Sequence, residues 1–282
     1  MILSHEIPQG SKLYFGKSAK IKRDLENLVS EVLYKEGYEE IQSPTFSYLQ
    51  YQRNAHSRKM VRINNEYNQP LALRNDSTID TIRLIAPHLK ENLVGKKWFY
   101  IQPIFVYPTQ EINQIGVENL ENCDILPFIA MSLSILKKVE LRPILQLSNV
   151  KIPQICAKEF GLDLEIFMKN DMDKIAKASP FLEKLLEINE KKDLENLIKI
   201  APQSLQNELQ KLLDLAKSFT YENIVLAPLD YPMMSYYDGI FFRFFLENKT
   251  IILGGGYTLA EQKACGFGIY TDNMILSLRK EK

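Results

Sequence analysis

Cysteine and histidine are scarce in this chain, and their scarcity argues against several common kinds of site. The three cysteines, Cys123, Cys156 and Cys265, lie far apart and follow no metal-ligand spacing, and their odd number argues against a disulfide framework. The three histidines lie singly, too far apart in sequence to indicate a metal site. We therefore expect no metal, no disulfide framework and a reduced, cytoplasmic location.

Long apolar runs and an excess of one charge are also missing. The richest apolar run, residues 240–246, is interrupted by Arg243, and residues 1–6 lack the basic segment and apolar stretch of a secretory signal. Thirty-five basic residues balance thirty-five acidic ones, so the chain has no overall positive field for collecting nucleic-acid phosphates. We expect no membrane span, and the balanced charge does not call for a nucleic-acid partner.

What is present is enough apolar sequence for one substantial core, since 45% of the 282 residues are hydrophobic. From residue 18 onward, apolar residues recur every three or four positions, and Gly37 follows as a natural terminator. This pattern predicts a long amphipathic helix. Residues 39–44 then indicate a short extended segment that ends in a proline.

Several later segments predict strands joined by short turns. Residues 98–107 are rich in aromatic and branched side chains, and residues 112–118 are expected to return beside them. Residues 239–246 and 250–253 flank a short polar turn and predict a hairpin. Strands connected in this way form antiparallel pairs, so we predict an α+β fold with an antiparallel sheet flanked by helices.

A different pattern, leucines at helical spacing among many lysines and glutamates, occupies residues 162–219. It is interrupted at Pro180 and Pro202. We interpret it as a helical insertion at 162–221 within a main domain formed by residues 1–161 and 222–282.

The first polar motif, LRNDST at residues 73–78, precedes a predicted helix. Asp76, Ser77 and Thr78 are all favoured at a helix start, so they have a simple capping interpretation. The alternative is that Asp76 and Thr78 face a binding pocket. The two roles are compatible, because a residue at a helix entrance can also line a pocket.

The second motif places Gln114 and Glu118 four residues apart on a predicted strand. Side chains at this spacing point to the same face of a strand, as two groups lining one pocket must. An exposed polar face of an antiparallel strand would give the same pattern.

The third and fourth motifs combine tyrosines with glycines. Tyr236 and Tyr237 precede Asp238-Gly239, and three glycines at 254–256 precede Tyr257. Glycines without side chains let the backbone approach a small ligand closely. Core packing of the tyrosines and a turn or bulge at the glycines are the simpler alternatives.

Taken in this order, the four motifs resemble the catalytic core of histidyl-tRNA synthetase and its non-catalytic relatives, the regulatory subunits of ATP phosphoribosyltransferase. The long helix followed by a strand and a proline resembles the first motif of class II synthetases. Residues 265–269, followed by a predicted helix, resemble the third. The resemblance implies the class II aminoacyl-tRNA synthetase catalytic-core fold, with a small helical insertion.

The resemblance also implies a histidine-binding site. It assigns Asp76 and Thr78 to the ammonium group, Gln114 to the main-chain end of histidine, and Glu118 and Tyr237 to the imidazole ring. Two acids in one partly desolvated pocket favour a cationic ligand, which histidine would be. The implied site comprises Asp76, Thr78, Gln114, Glu118, Tyr236, Tyr237, Gly255 and Tyr257.

The arginines that synthetases use to stabilise the phosphates of ATP are replaced here. By the resemblance, their positions fall at Val106, Asn273 and, for the histidine-specific arginine, at or near Pro232. Without these cations the chain is not expected to activate an amino acid, so we predict no catalytic residues and no cofactor.

The resemblance therefore implies a histidine-sensing regulatory subunit in histidine biosynthesis. It implies a homodimer within a hetero-oligomer that includes a short-form ATP phosphoribosyltransferase catalytic subunit. The sequence ends shortly after the third motif, so no anticodon-binding domain is expected. Two alternatives stay open: a tRNA-independent amino-acid ligase, which requires ATP, and a scaffold with a vestigial pocket.

Overall fold

The computed structural model describes residues 6–52, 59–89, 95–121, 123–232, 234, 236–259 and 261–280. Its helices are α1 (Lys17–Lys35), α2 (Leu49–Gln52), α3 (Ser77–Leu89), α4 (Leu126–Lys138), α5 (Lys151–Glu159), α6 (Leu164–Met168), α7 (Met172–Ala178), α8 (Pro180–Leu186), α9 (Lys191–Ile198), α10 (Gln203–Lys217) and α11 (Thr271–Lys280). Its strands are β1 (Glu39–Glu40), β2 (Phe46–Tyr48), β3 (Arg62–Asn64), β4 (Pro70–Leu73), β5 (Lys97–Val106), β6 (Gln110–Asn119), β7 (Ile144–Asn149), β8 (Ile224–Leu226), β9 (Tyr237–Leu246), β10 (Lys249–Leu259) and β11 (Gln262–Tyr270).

The chain divides into two compact units. The first comprises Met1–Cys123, Leu133–Leu141 and Leu259–Lys282, and the second comprises Asp124–Ser132 and Arg142–Thr258. The predicted division into a main domain and a helical insertion at 162–221 stays a prediction.

Helix α1 of the first unit confirms the predicted amphipathic helix. Leu25, Val29 and Leu33 follow one another at four-residue intervals and are buried, so one face of the helix packs into the core. Gly37 has a φ of 77°, a left-handed conformation that glycine adopts without steric cost. The chain therefore leaves the helix sharply and enters β1.

The strands of the first unit lie in the order β1-β5-β6-β11. β5 and β6 form the predicted antiparallel pair, with Ile101 opposite Ile115, and β6 is also antiparallel to β11. β1 is parallel to β5, which departs from the antiparallel prediction. The long connection between these two strands allows the chain to return in the same direction. Helix α11 follows β11 directly, as the resemblance to the third motif implies.

The strands of the second unit lie in the order β10-β9-β7-β8. β9 and β10 form the predicted hairpin, in which Leu246 pairs with Lys249 around a two-residue turn. β10 runs on through the glycines at 254–256, with a register shift between Gly255 and Tyr257. The glycines lie within a continuous strand, and the extra residues of the register shift lie on β9 between Tyr237 and Phe241. β8 is parallel to β7, a second departure from the antiparallel prediction.

Helices α6 to α10 confirm the helical character predicted for residues 162–219. Pro180 occupies the first turn of α8, and Pro202 directly precedes α10, so both prolines mark helix starts. Ser179 caps α8 by accepting a hydrogen bond from the Phe181 N–H at 3.2 Å. Among the residues that the structure describes, no helix has the length and apolar character needed to cross a bilayer.

A disulfide joins Cys123 to Cys265, so the expectation of a reduced chain is wrong. Their Cα atoms lie 4.9 Å apart although 142 residues separate them. Cys265 lies on β11 opposite Asn119 of β6, and Cys123 follows β6 closely, so strand pairing brings them together. An odd number of cysteines prevents complete pairing but allows one pair, and Cys156 stays free and buried. The cytoplasmic location remains a prediction.

Candidate functional site

In the first unit, a buried carboxylate lies at the centre of a small polar cluster. Glu118 on β6 is 2% exposed, and its Oε1 accepts a hydrogen bond from Thr78 Oγ1 at 2.7 Å. Tyr100 Oη lies 3.2 Å from Thr78 Oγ1 and 3.5 Å from Glu118 Oε1. The structure thus brings two predicted site residues into direct contact and excludes an exposed polar face as the explanation for Glu118.

Tyr100 is a member of this cluster that the motifs did not identify. It lies on β5 directly opposite Gly116 of β6, and an added Cβ atom at Gly116 would overlap its ring. The missing side chain at Gly116 therefore lets Tyr100 lie across β6 and reach Glu118. The predicted pairing of the two strands could have identified Tyr100. An aromatic residue opposite Gly116 lies on the same face of the sheet as Glu118.

Gly266 on β11 gives Glu118 room on its other side. The two residues are opposite each other in the β6–β11 pair, and an added Cβ atom at Gly266 would overlap Glu118 Oε2 and the Val117 carbonyl oxygen. Burial raises the pKa of Tyr38, and together with the smaller effects of the charges on Glu36 and Glu118 brings it to about 12.

Asp76 lies at the start of α3 and serves as its cap. Its Oδ1 accepts a hydrogen bond from the Ile79 N–H at 3.1 Å, which confirms the capping role. Thr78 lies in the first turn of the same helix and faces Glu118. The start of α3 thus combines a structural side chain with one that contributes to the polar cluster.

Arg74 anchors the segment that precedes this helix. Its Nη1 donates to the Ser43 carbonyl oxygen at 2.6 Å, and its Nε donates to the Pro103 carbonyl oxygen at 2.9 Å. Burial lowers the pKa of the guanidinium. Arg74 therefore fixes the position of the backbone that presents Asp76 and Thr78.

Gln114 lies on β6 on the same face as Glu118, as its spacing predicts. It is half-buried, opposite Gln102 on β5 and Tyr270 on β11. Its role as a ligand contact stays a prediction.

In the second unit, the remaining predicted site residues form an aromatic cluster. The ring of Tyr236 lies 5.1 Å from that of Tyr237 and 5.5 Å from that of Tyr257, measured between centroids. A Cβ atom at Gly255 would come within 2.8 Å of the Tyr237 ring, so glycine is needed there for the close approach. Tyr237 also stacks on Phe241 at 5.9 Å, which agrees with the core-packing alternative.

The positions of the replaced arginines lie on ordered elements. Val106 ends β5, Asn273 lies in the first turn of α11, and Pro232 is buried in the segment before β9. Within the described ranges there is no group of three or more histidine, cysteine or acidic side chains that could hold a metal ion.

Two features indicate the class of this protein: paired strands that carry a buried acid, and a glycine-rich strand beside a tyrosine cluster. That class is the class II aminoacyl-tRNA synthetase fold. A solved structure supports this class: an ATP phosphoribosyltransferase regulatory subunit/histidyl-tRNA synthetase from Bacillus halodurans has a TM-score of 0.85. The match covers 99% of this chain and 84% of that chain at 18% identity, and it shows the shared fold.

Sequence comparison places the chain more closely. The family model for histidyl-tRNA synthetase matches residues 15–274. The ATP phosphoribosyltransferase regulatory subunit of Wolinella succinogenes is 47% identical over 275 residues, which are 98% of this chain and 96% of that protein. The protein of the same name in Helicobacter hepaticus is 42% identical over 98% of both chains. The chain belongs to the histidyl-tRNA synthetase family, among the ATP phosphoribosyltransferase regulatory subunits.

Proposed function

We propose that this chain is a regulatory subunit of ATP phosphoribosyltransferase that makes the enzyme responsive to histidine. The observation that carries the proposal is the buried Glu118 carboxylate, held by the Thr78 hydroxyl beside Tyr100. The names of the two relatives, which this chain matches over nearly its full length, support the regulatory role.

A buried carboxylate favours a cationic ligand, because a charge removed from water is stabilised by an opposite charge nearby. Histidine offers two such groups: an ammonium and a ring with an ordinary pKa near 6.5. Glu118 would accept a hydrogen bond from the protonated ring, and Thr78 would keep the carboxylate oriented. The other predicted ligand contacts stay predictions: Asp76, Thr78, Gln114, Tyr236, Tyr237, Gly255 and Tyr257.

The same chain is proposed to be without synthetase activity. The positions where the family uses phosphate-binding arginines carry Val106, Asn273 and, at or near the third, Pro232. Removal of one preorganised donor typically lowers the rate about a hundred- to thousandfold, so three losses leave little activation of histidine with ATP. No catalytic residue and no cofactor are proposed.

The proposed partner is a short-form ATP phosphoribosyltransferase catalytic subunit, bound in a hetero-oligomer in which this chain forms a homodimer. The balanced charge of the chain gives it no general affinity for tRNA. Regulation would then operate through protein contacts and not through chemistry at the synthetase-like site.

The proposal is tested by thermal unfolding of the purified chain with each of the twenty amino acids and with ATP. A ligand present at a hundred times its dissociation constant stabilises the fold by about 2.7 kcal/mol. We expect histidine to raise the melting temperature, Glu118→Gln to abolish the rise, and Glu121→Gln to preserve it. Glu121 is a matched control, because it lies three residues away with an exposed side chain paired to Lys96.

Each other outcome contradicts part of the proposal. A rise in melting temperature with ATP would indicate a ligase, since a regulatory chain without phosphate-binding arginines is not expected to bind the nucleotide. No rise with any ligand, in the chain alone and with its catalytic partner added, would indicate a scaffold with a vestigial pocket.

A further inference from the structure

The second unit contains a cavity that none of the predicted site residues lines. It measures about 350 Å³, at the small end of the range for ligand pockets. Buried Ile175, Leu185 and Ile188 contribute to its apolar wall, and the half-exposed Met172 also lines it. A small molecule with an apolar portion would fit this wall.

Three polar side chains gather at one part of this cavity because of strand pairing. Gln146 on β7 is directly opposite Arg243 on β9, and Arg243 Nη2 donates to Gln146 Oε1 at 2.5 Å. Asp230 follows β8, which lies parallel to β7 on its other side. Gln146 Nε2 donates to Asp230 Oδ2 at 2.6 Å, so the amide links the two charged groups.

The two charges in this group are only loosely paired with each other. Arg243 Nη2 and Asp230 Oδ2 are 4.0 Å apart, at the outer limit of an ion pair. Arg243 Nε is buried and has no hydrogen-bond partner among the described residues. A guanidinium has five N–H donors, so Arg243 keeps capacity to bind a carboxylate. The Arg243 side chain is 36% exposed, so a carboxylate can reach the guanidinium from the cavity through N–H groups other than the buried Nε.

We propose that this cavity binds an α-amino acid with an apolar side chain. The ligand carboxylate would accept hydrogen bonds from Arg243, its ammonium group would donate to Asp230, and its side chain would pack against Ile175, Leu185 and Ile188. The opposite charges of the ligand match those of the partly exposed Arg243 and Asp230, which leaves the occupied site neutral. This inference goes beyond histidine sensing, because it gives the chain a second small-molecule site with different specificity.

The competing explanation is structural: the three side chains would simply tie β7, β9 and the segment after β8 together. Both explanations predict that loss of Arg243 lowers the stability of the fold. Only the binding proposal predicts that an amino acid is bound, and that both of its charged groups are required.

The experiment is isothermal titration calorimetry of the full chain with L-leucine, 4-methylpentanoate and 3-methylbutylamine. The second compound lacks the ammonium group of leucine and the third lacks the carboxylate. We expect leucine to bind and each analogue to bind at least tenfold more weakly, as loss of a charge-assisted hydrogen bond implies.

Variants locate the binding. Arg243→Met and Asp230→Asn should each weaken leucine binding at least tenfold, whereas Arg142→Met, an exposed arginine of the same unit, should not change it. Met172→Trp should abolish binding, because the larger side chain occupies part of the cavity. It leaves the polar group intact, so a failure of Arg243→Met to fold does not prevent the test. Absence of binding by leucine, phenylalanine and methionine, or equal binding by wild type and Met172→Trp, would overturn the proposal.

Discussion

At the scale of single residues, Gly116 determines where Tyr100 lies. The glycine is on β6 opposite Tyr100, and the ring occupies the space that a side chain would need. Gly268, opposite Gly116 on β11, has no atom within 4 Å of an added Cβ. The two glycines therefore form a matched pair, in which only one is required by a close contact.

We expect Gly116→Ala to lower the free energy of unfolding by about 1 to 3 kcal/mol, because the methyl group would displace the Tyr100 ring. Gly268→Ala should change it by less than about 1 kcal/mol, since the site has room. Urea unfolding of both variants measures the difference. In the double variant, Tyr100→Ala should recover part of the stability that Gly116→Ala loses. If the two changes in the free energy of unfolding simply add, the contact between these residues is not the cause.

Tyr38 gives a pH dependence that can be measured. Its folded-state pKa of about 12 lies above the ordinary value of 10, so the fold favours the neutral phenol. Its contribution to stability is complete below pH 10 and is lost as the pH rises towards 12. The shift corresponds to about 2 to 3 kcal/mol.

The expected result is that Tyr38→Phe loses less stability than the wild type between pH 9 and 11.5, as measured by urea unfolding. Tyr67→Phe serves as the control, because that side chain is 77% exposed. Parallel losses in the wild type and Tyr38→Phe would show that the buried phenol does not contribute.

At the scale of helices and strands, local patterns predicted most elements. The long helix, the β5–β6 pair, the β9–β10 hairpin and the helices within 162–219 all follow from periodicity and turn residues. The parallel pairs β1–β5 and β7–β8 were not predictable in this way. Long connections separate the two strands of each parallel pair. Their pairing is therefore determined by packing across the unit and not by a local turn.

Helix α8 offers a test of these local signals. Ser179→Ala should lower the free energy of unfolding by about 1 kcal/mol, because the Phe181 N–H loses its acceptor. Ser179→Asp should retain most of the stability, since a carboxylate caps equally well. Urea unfolding of the two variants decides the matter: equal losses would mean that the cap is not what stabilises this helix.

At the scale of the whole molecule, the sequence order of the motifs predicted the class of fold, while side-chain contacts had to come from the structure. Glu118 and Thr78 were expected in one site, but Tyr100 joins them only through strand pairing. The disulfide escaped prediction for the same reason, since 142 residues separate its two cysteines.

Thiol counting tests the arrangement of the three cysteines. The native chain, purified without reductant, should react with no equivalent of a thiol reagent, and the unfolded chain with one. Burial raises the pKa of the Cys156 thiol to about 12, so its reactive thiolate is scarce at neutral pH until the chain unfolds. Three reactive thiols in the unfolded chain would show that Cys123 and Cys265 are reduced.

The disulfide also has a geometric consequence for the buried acid. Cys265 is opposite Asn119, and the next residue, Gly266, is opposite Glu118. If the two strands slid past each other by one position, every side chain on the sliding strand would move to the other face of the sheet. The Cys123–Cys265 bond, next to the paired Glu118 and Gly266, opposes such a shift in register. The chain thus secures the alignment of its charged centre with a bond placed one residue away from it.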